Sequence, residues 1–244
     1  IAEVAKPEDL AVRPAVFVLN KADLAGFGAG GPVAVSRTRA AQLSRRSGIP
    51  AEPLVGLLAV AALEPGVLGD DVLAAVRTLV AAPADMSSPD AFVAGAHPLP
   101  AADRQRLLER LDLFGIAHAA LAIDEPEGLS GLLRRISGID TVCARIEAAA
   151  AEVRYRRLLA VVAELEALAV RDPQVERFLA ADETVAARTA AAAEVLGTDA
   201  PDSLRSAVRW RRYGAGPVSA LHRACAADLT RGAAYAADWR PRFE

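Results

Sequence analysis

The sequence predicts an α/β segment with a parallel sheet, followed by an all-α helical bundle. Two apolar, strand-like runs alternate with two helix-like runs before residue 82, an order typical of parallel sheets with right-handed crossovers. A stretch rich in Pro, Ser, Gly and Ala follows, as in linkers. Beyond it, apolar residues recur at steps of three and four. The predicted domains are an α/β part at 1–82, a linker at 83–100 and a helical domain at 101–244.

The α/β part contains four predicted elements. Residues 15–19 read Ala-Val-Phe-Val-Leu, a short apolar run typical of a buried parallel strand. A helix is predicted at 35–47, where Gly48 would end it. The next apolar run, 53–61, is predicted as the second strand, and 70–80 has leucine and valine at helical spacing.

The remainder of the chain is predicted as a bundle of alanine-rich helices. Two cysteines, Cys143 and Cys225, lie far apart in this region without metal-ligand spacing, and we expect both to be buried, reduced thiols. The predicted helices are 102–114 closed by Gly115, 129–136 closed by Gly138, 141–170, 174–196, 203–213, and one from Pro217 to about 237.

Composition predicts a soluble, globular, cytoplasmic protein. Hydrophobic residues make up 53% of the 244 and charged residues 24%, which can fill a core. The longest apolar run, 53–63, is too short to cross a bilayer, so no transmembrane segment is expected, although peripheral membrane contact stays open. The net charge of −3 argues against nucleic acid as a main partner. Residues 201–244 are nevertheless basic, with eight arginines against four acidic residues.

The most informative motif is Asn20-Lys21-Ala22-Asp23, which begins where the first predicted strand stops. Asn20 is the chain's only asparagine, and Lys21 is one of two lysines in a protein that otherwise uses arginine. Given one asparagine, this composition would place Lys and Asp at these positions about once in two thousand cases. The carboxyl end of a strand is also the ligand edge of an open α/β sheet.

These residue types match the chemistry of a guanine base. Guanine presents a ring N–H and an exocyclic amine side by side, and the Asp23 carboxylate could accept both. Adenine lacks this pair of donors and would leave a desolvated carboxylate unpaired. The aliphatic stem of Lys21 could lie on the purine ring. The Asn20 amide could tie neighbouring loops together.

Residues 18–24, Val-Leu-Asn-Lys-Ala-Asp-Leu, resemble the fourth signature motif of P-loop GTPases in the translation-factor-related class. The resemblance implies that GTP or GDP is the ligand and that Asn20, Lys21 and Asp23 bind it. In that family a fifth motif follows the next strand and contacts guanine through a backbone N–H. The corresponding place is Ala61-Ala62-Leu63, where alanine replaces the usual serine and Ala62 would supply the N–H.

The rest of a GTPase site is missing from the sequence. No Gly-x-x-x-x-Gly-Lys-[Ser/Thr] occurs, and the glycines of 26–31 are followed by Pro32. Asp112 to Gly115 has the form Asp-x-x-Gly but is predicted to stop a helix. We therefore expect the chain to be the carboxyl-terminal part of a longer GTPase whose phosphate loop precedes Ile1. Mg²⁺ is expected only with that upstream part, and no catalytic or metal-binding residue is predicted here.

Other interpretations remain open at this point. The Asn20 to Asp23 segment could be an Asx-type turn that closes a strand, and 61–63 an ordinary strand end. Residues 209–213 interleave arginines with Trp and Tyr, as single-strand nucleic-acid platforms do. A solvated helix face with Trp210 buried is the more common arrangement, and the arginines could equally meet an acidic partner or the acidic remainder of this chain. The three histidines, His97, His118 and His222, have no catalytic partners in a recognisable order.

The functional hypothesis is guanine-nucleotide binding and, in the complete protein, GTP hydrolysis coupled to a helical effector region with a protein partner. A helical region after the GTPase core would be similar to that of dynamin-like GTPases. The alternative is a non-catalytic helical protein-interaction module that retains a remnant of the GTPase fold.

Overall fold

The computed structural model describes residues 15–26, 28–121, 123, 128–201 and 203–238. In these ranges the protein is mostly helical, with eleven α-helices and one two-stranded parallel sheet. The chain divides into two compact units, 1–146 and 147–244. None of the helices in the described ranges combines the length and apolar character needed to cross a bilayer.

The sheet of the first unit pairs β1, Phe17–Asn20, with β2, Ala51–Leu54. The strands run parallel, with Phe17 opposite Ala51 and Asn20 opposite Leu54. Helix α1, Gly31–Ser47, connects them and ends at Gly48 as predicted. It starts four residues earlier than expected because Pro32 sits in its first turn, where the missing N–H would have had no partner.

The prediction of a second strand at 53–61 is wrong. β2 ends at Leu54, and residues Gly56–Leu63 form helix α2. A short continuous apolar run fits a buried helix as well as a buried strand. The buried positions of α2 are Leu58, Ala59 and Ala61, a pattern that strict alternation would not produce. Its alanine content also favours the helix.

The core of the first unit extends well beyond the predicted α/β part. Helix α2 packs with the later helices, and Phe92 in the middle of the predicted linker is completely buried in that core. The buried Arg104 holds the same segment by donating to the carbonyls of Phe92 and Gly95. The division of the chain therefore does not coincide with 83–100. These later helices are α3 Asp70–Ala81, α4 Pro89–Ala94, α5 Ala101–Leu121 and α6 Gly128–Ser137. The start of α7, Ile139–Ala169, also belongs to the first unit.

The prediction that helix α5 ends at Gly115 is wrong. The helix is interrupted at Asp112, whose φ of 56° and ψ of 171° are not helical, and then continues to Leu121. The Asp112 carboxylate accepts a hydrogen bond from the N–H of Leu113, which caps the second half. Gly115 serves close packing instead, since a Cβ there would lie 2.5 Å from Cδ2 of Leu58.

The second unit is a helical bundle formed by the rest of α7 and four further helices. The helix predicted at 174–196 is broken at Ala181, which has an extended backbone. Cys225 is buried, as predicted, and burial raises the pKa of its thiol to about 11, so the thiol is protonated at neutral pH. Cys143 is exposed, contrary to the prediction. The four helices are α8 Pro173–Ala180, α9 Asp182–Leu196, α10 Leu204–Ala215 and α11 Ala220–Asp238.

Candidate functional site

Asn20 links the two segments that follow the parallel strands. It is the last residue of β1, and its side-chain Oδ1 accepts a hydrogen bond from the N–H of Lys21 at 2.8 Å. The same oxygen accepts a second bond from the N–H of Gly56 at 2.9 Å. Gly56 begins α2, two residues after β2 ends. The expectation that the Asn20 amide ties neighbouring loops is thus confirmed.

Gly56 is required for this contact. A Cβ atom at this position would lie 2.8 Å from Oδ1 and 3.1 Å from Nδ2 of Asn20. The residues just after Gly56 form the first turn of α2, whose first helical bond runs from the N–H of Ala59 to the carbonyl of Val55. The N–H groups of Leu57 and Leu58 therefore lie before the first bond of the helix and have no acceptor within it. The positive end of the helix dipole favours electron-rich oxygens at this position.

Lys21 has a left-handed backbone, with φ of 59° and ψ of 44°. This conformation costs a non-glycine residue about 1–2 kcal/mol. It is held by the turn that follows, a 3₁₀ helix at Ala22–Leu24 in which the N–H of Leu24 donates to the Lys21 carbonyl at 3.0 Å. Ala22 is buried and anchors the turn, while the Lys21 side chain is exposed. A strained residue held in place by its surroundings is a feature of many functional loops.

Asp23 is half-buried in this turn. The pKa of its carboxyl is raised above the ordinary value, first by loss of solvent and further by the negative charge of Asp112. A backbone hydrogen bond and the charge of Lys21 oppose the increase. The chain's own groups therefore stabilise the negative charge of this carboxylate only in part, and a ligand with hydrogen-bond donors would stabilise it further. Asp112 was predicted only as a helix stop, and its proximity to Asp23 comes from the fold.

Ala61, Ala62 and Leu63 do not form a loop after a strand. They make up the last turn of α2, where Ala61 is buried and the Ala62 carbonyl accepts a hydrogen bond from Ser130 Oγ at 2.9 Å. Within the helix the N–H of Ala62 bonds the carbonyl four residues before it. This N–H is therefore not free to donate to a nucleotide base. The segment that follows β2 is Val55–Gly56. Sequence analysis missed it because the end of β2 was misplaced.

The aromatic residues of 209–213 are packed inside the second unit. Trp210 belongs to the core and is only 8% exposed. The Tyr213 hydroxyl pairs with Nδ1 of His222 at 2.8 Å, and its ring meets Trp210 edge-on. These rings offer little free face for stacking bases, which removes the main support for the nucleic-acid alternative. The arginines of the segment are exposed.

Within the described ranges, no group of three or more His, Cys, Asp or Glu side chains is arranged to hold a metal ion, so no role for Mg²⁺ is derived from these residues. The chain matches no protein-family profile, no curated protein and no solved structure. The GTPase resemblance thus depends on the sequence of residues 18–24 alone.

Proposed function

We propose that the segments following β1 and β2 bind the base of a guanine nucleotide, and that the complete protein hydrolyses GTP and couples hydrolysis to its helical region. The observation that carries the proposal is the pair of hydrogen bonds accepted by Asn20. A purely local contact between a side chain and the adjacent backbone would account for the bond from Lys21. It would not account for the bond from Gly56, 36 residues away, which joins both loops at the ligand edge of the sheet.

Each residue has a distinct role in this proposal. The Asp23 carboxylate accepts the ring N–H and the exocyclic amine of guanine. The exposed Lys21 lays its aliphatic stem along the purine ring. The N–H of the exposed Leu57, at the start of α2, faces the guanine carbonyl oxygen in place of the N–H of Ala62. Asn20 holds the two halves of the site together.

Base selectivity follows from the half-buried position of Asp23. An adenine ring leaves this carboxylate without donors, and an unsatisfied polar group costs about 1–3 kcal/mol. A difference of about 1.4 kcal/mol corresponds to a tenfold change in affinity. We therefore expect GDP to bind about 5- to 140-fold more tightly than ADP.

The test is a calorimetric titration of GDP, ADP and xanthosine diphosphate into the protein and into Asp23→Asn, expressed with any residues that the reading frame encodes before Ile1. Wild type should prefer GDP, and Asp23→Asn should shift the preference to xanthosine diphosphate, whose carbonyl replaces the guanine amine. Asp90→Asn, an exposed carboxylate change on α4, is the matched control. Equal binding of GDP and ADP in both proteins, or no binding, would refute the proposal and favour the alternative, a non-catalytic helical protein-interaction module.

A further inference from the structure

The second unit contains a groove between α10 and α11 with an apolar floor and basic sides. The groove encloses about 380 Å³, and its floor includes Gly214, Ala226 and Thr230. The two helices approach closely here, since a Cβ at Gly214 would lie 3.0 Å from Cβ of Ala226. Arg211 and Arg223 line the sides. We call this the α10–α11 groove, and it is large enough for one aromatic side chain.

The positive charge of the α10–α11 groove is not balanced within the described part of the chain. Arg211 pairs with no described carboxylate, and Arg223 donates only to the carbonyls of Gly214 and Val218. Three more exposed arginines of α10 likewise have no described carboxylate partner; they are Arg205, Arg209 and Arg212. The groove therefore suits an occupant that combines an apolar side chain with negative charge.

Helix α8 of the same unit offers this combination. None of its residues is buried, and the Phe178 side chain is 56% exposed. Val175, Phe178 and Leu179 fall on one side at helical spacing, and we call them the α8 face. Glu176 borders this face, whereas Arg177 lies on the opposite side and donates to the carbonyl of Pro173.

We propose that the α8 face of one chain occupies the α10–α11 groove of a second copy, with Phe178 on the small-residue floor and Glu176 beside Arg211. Charge along the chain supports this pairing. Residues 147–200 carry ten acidic residues against six arginines, and residues 201–244 carry eight arginines against four acidic residues. Because the two surfaces are different patches of one chain, two copies can make the contact twice in a two-fold dimer, or successive copies can make it head to tail in a ring or an open chain.

The first experiment is sedimentation equilibrium of the 244-residue chain over a range of protein and salt concentrations. We expect concentration-dependent association that weakens as salt rises. Arg211→Glu and Phe178→Asp should each raise the dissociation constant by about tenfold or more. Arg39→Glu on α1 and Val80→Asp on α3 make the same chemical changes at exposed positions of the first unit and should associate as wild type. Circular dichroism establishes that each variant is folded.

Mixing the two variants gives the sharper test. Arg211→Glu keeps an intact α8 face, and Phe178→Asp keeps an intact groove, so together they can form one productive contact. At protein concentrations where wild type associates and each variant alone stays monomeric, the mixture should form a dimer that does not extend. A wild-type chain that stays monomeric, variants that associate as wild type, or a mixture without dimers would overturn the proposal. A monomeric chain whose Arg211→Glu variant loses binding to a labelled single-stranded RNA would assign the groove to nucleic acid instead.

Discussion

Gly56→Ala tests whether the contact between Asn20 and the start of α2 serves a base-binding site. The added Cβ would lie 2.8 Å from Oδ1 of Asn20, closer than the two atoms can approach. Asn20 is exposed and its side chain can rotate, so we expect the amide to move while the backbone stays in place. The bonds that its oxygen accepts from Lys21 and Gly56 would then be lost.

The expected cost to stability is small. Each lost hydrogen bond is worth about 0.5–1.5 kcal/mol, and less where water replaces it. Alanine in place of glycine at a helical position returns about 0.5–1 kcal/mol. The net change in the free energy of unfolding should therefore be about 1 kcal/mol or less. The affinity for GDP should fall by about tenfold or more, because the Asp23 turn and the α2 terminus are no longer tied.

Urea unfolding and GDP calorimetry separate the two effects. Asn20→Ala removes the same contact from the other side and should lose a similar factor in affinity. The double variant should be no worse than either single variant, because the two substitutions remove one shared interaction. Unchanged GDP affinity in a folded Gly56→Ala protein, or additive losses in the double variant, would refute the role of this contact in the site.

Three further predictions concern the stability of both units. Lys21→Gly relieves the left-handed strain and should raise the free energy of unfolding by up to about 1 kcal/mol while GDP affinity falls; urea titration showing a loss of stability would contradict this. Asp23 has a raised pKa, so its contribution to stability is present below the unfolded value of 3.8 and is lost as pH rises through the folded pKa. Asp23→Asn should therefore melt at a higher temperature than wild type at pH 7, with the difference closing in acid, and a lower melting temperature at pH 7 would count against it. In the second unit, Asp228→Ala should cost about 3–5 kcal/mol, because the buried Arg188 loses its carboxylate partner at 2.7 Å and keeps only the more distant Glu166 at 3.9 Å. Tyr155→Phe removes one hydrogen bond to Asp228 and should cost about 1–3 kcal/mol in the same urea assay; equal costs would refute this order.

The sequence could predict elements whose boundaries are set by local chemistry. Gly48 ends α1 with a left-handed backbone, and the short apolar run before Asn20 does form a buried strand. The prediction of the second strand was wrong because nine of the eleven residues from 53 to 63 are hydrophobic, and such a run has no period that separates strand from helix. What decides the matter is packing of α2 against later helices, and sequence periodicity does not contain that information.

Only the half of the candidate site that lies on the loop after β1 could be predicted from the sequence. Asn20 and Asp23 are recognisable because their spacing within one loop is fixed by the chain. Gly56 and Asp112 are brought to the candidate site only by the tertiary structure. Gly56 depends on the register that places Leu54 opposite Asn20, and Asp112 depends on a left-handed break within α5. An aspartate in the sequence does not by itself predict a positive φ, because glycine is the usual occupant of that conformation.

The edges of the sheet indicate where Asn20 would lie in a larger domain. Phe17 donates its N–H to the carbonyl of Pro50, so in β2 the peptide groups of Ala51 and Pro53 face away from β1. The N–H of Ala51 is taken by Ser44 Oγ at 2.8 Å, and proline has no N–H to offer. The outer edge of β2 therefore offers a neighbouring strand no N–H group at these two positions. In the proposed GTPase, β2 would form the rim of the sheet, and Asn20 would lie at the carboxyl end of the strand beside it, where open α/β sheets bind their ligands.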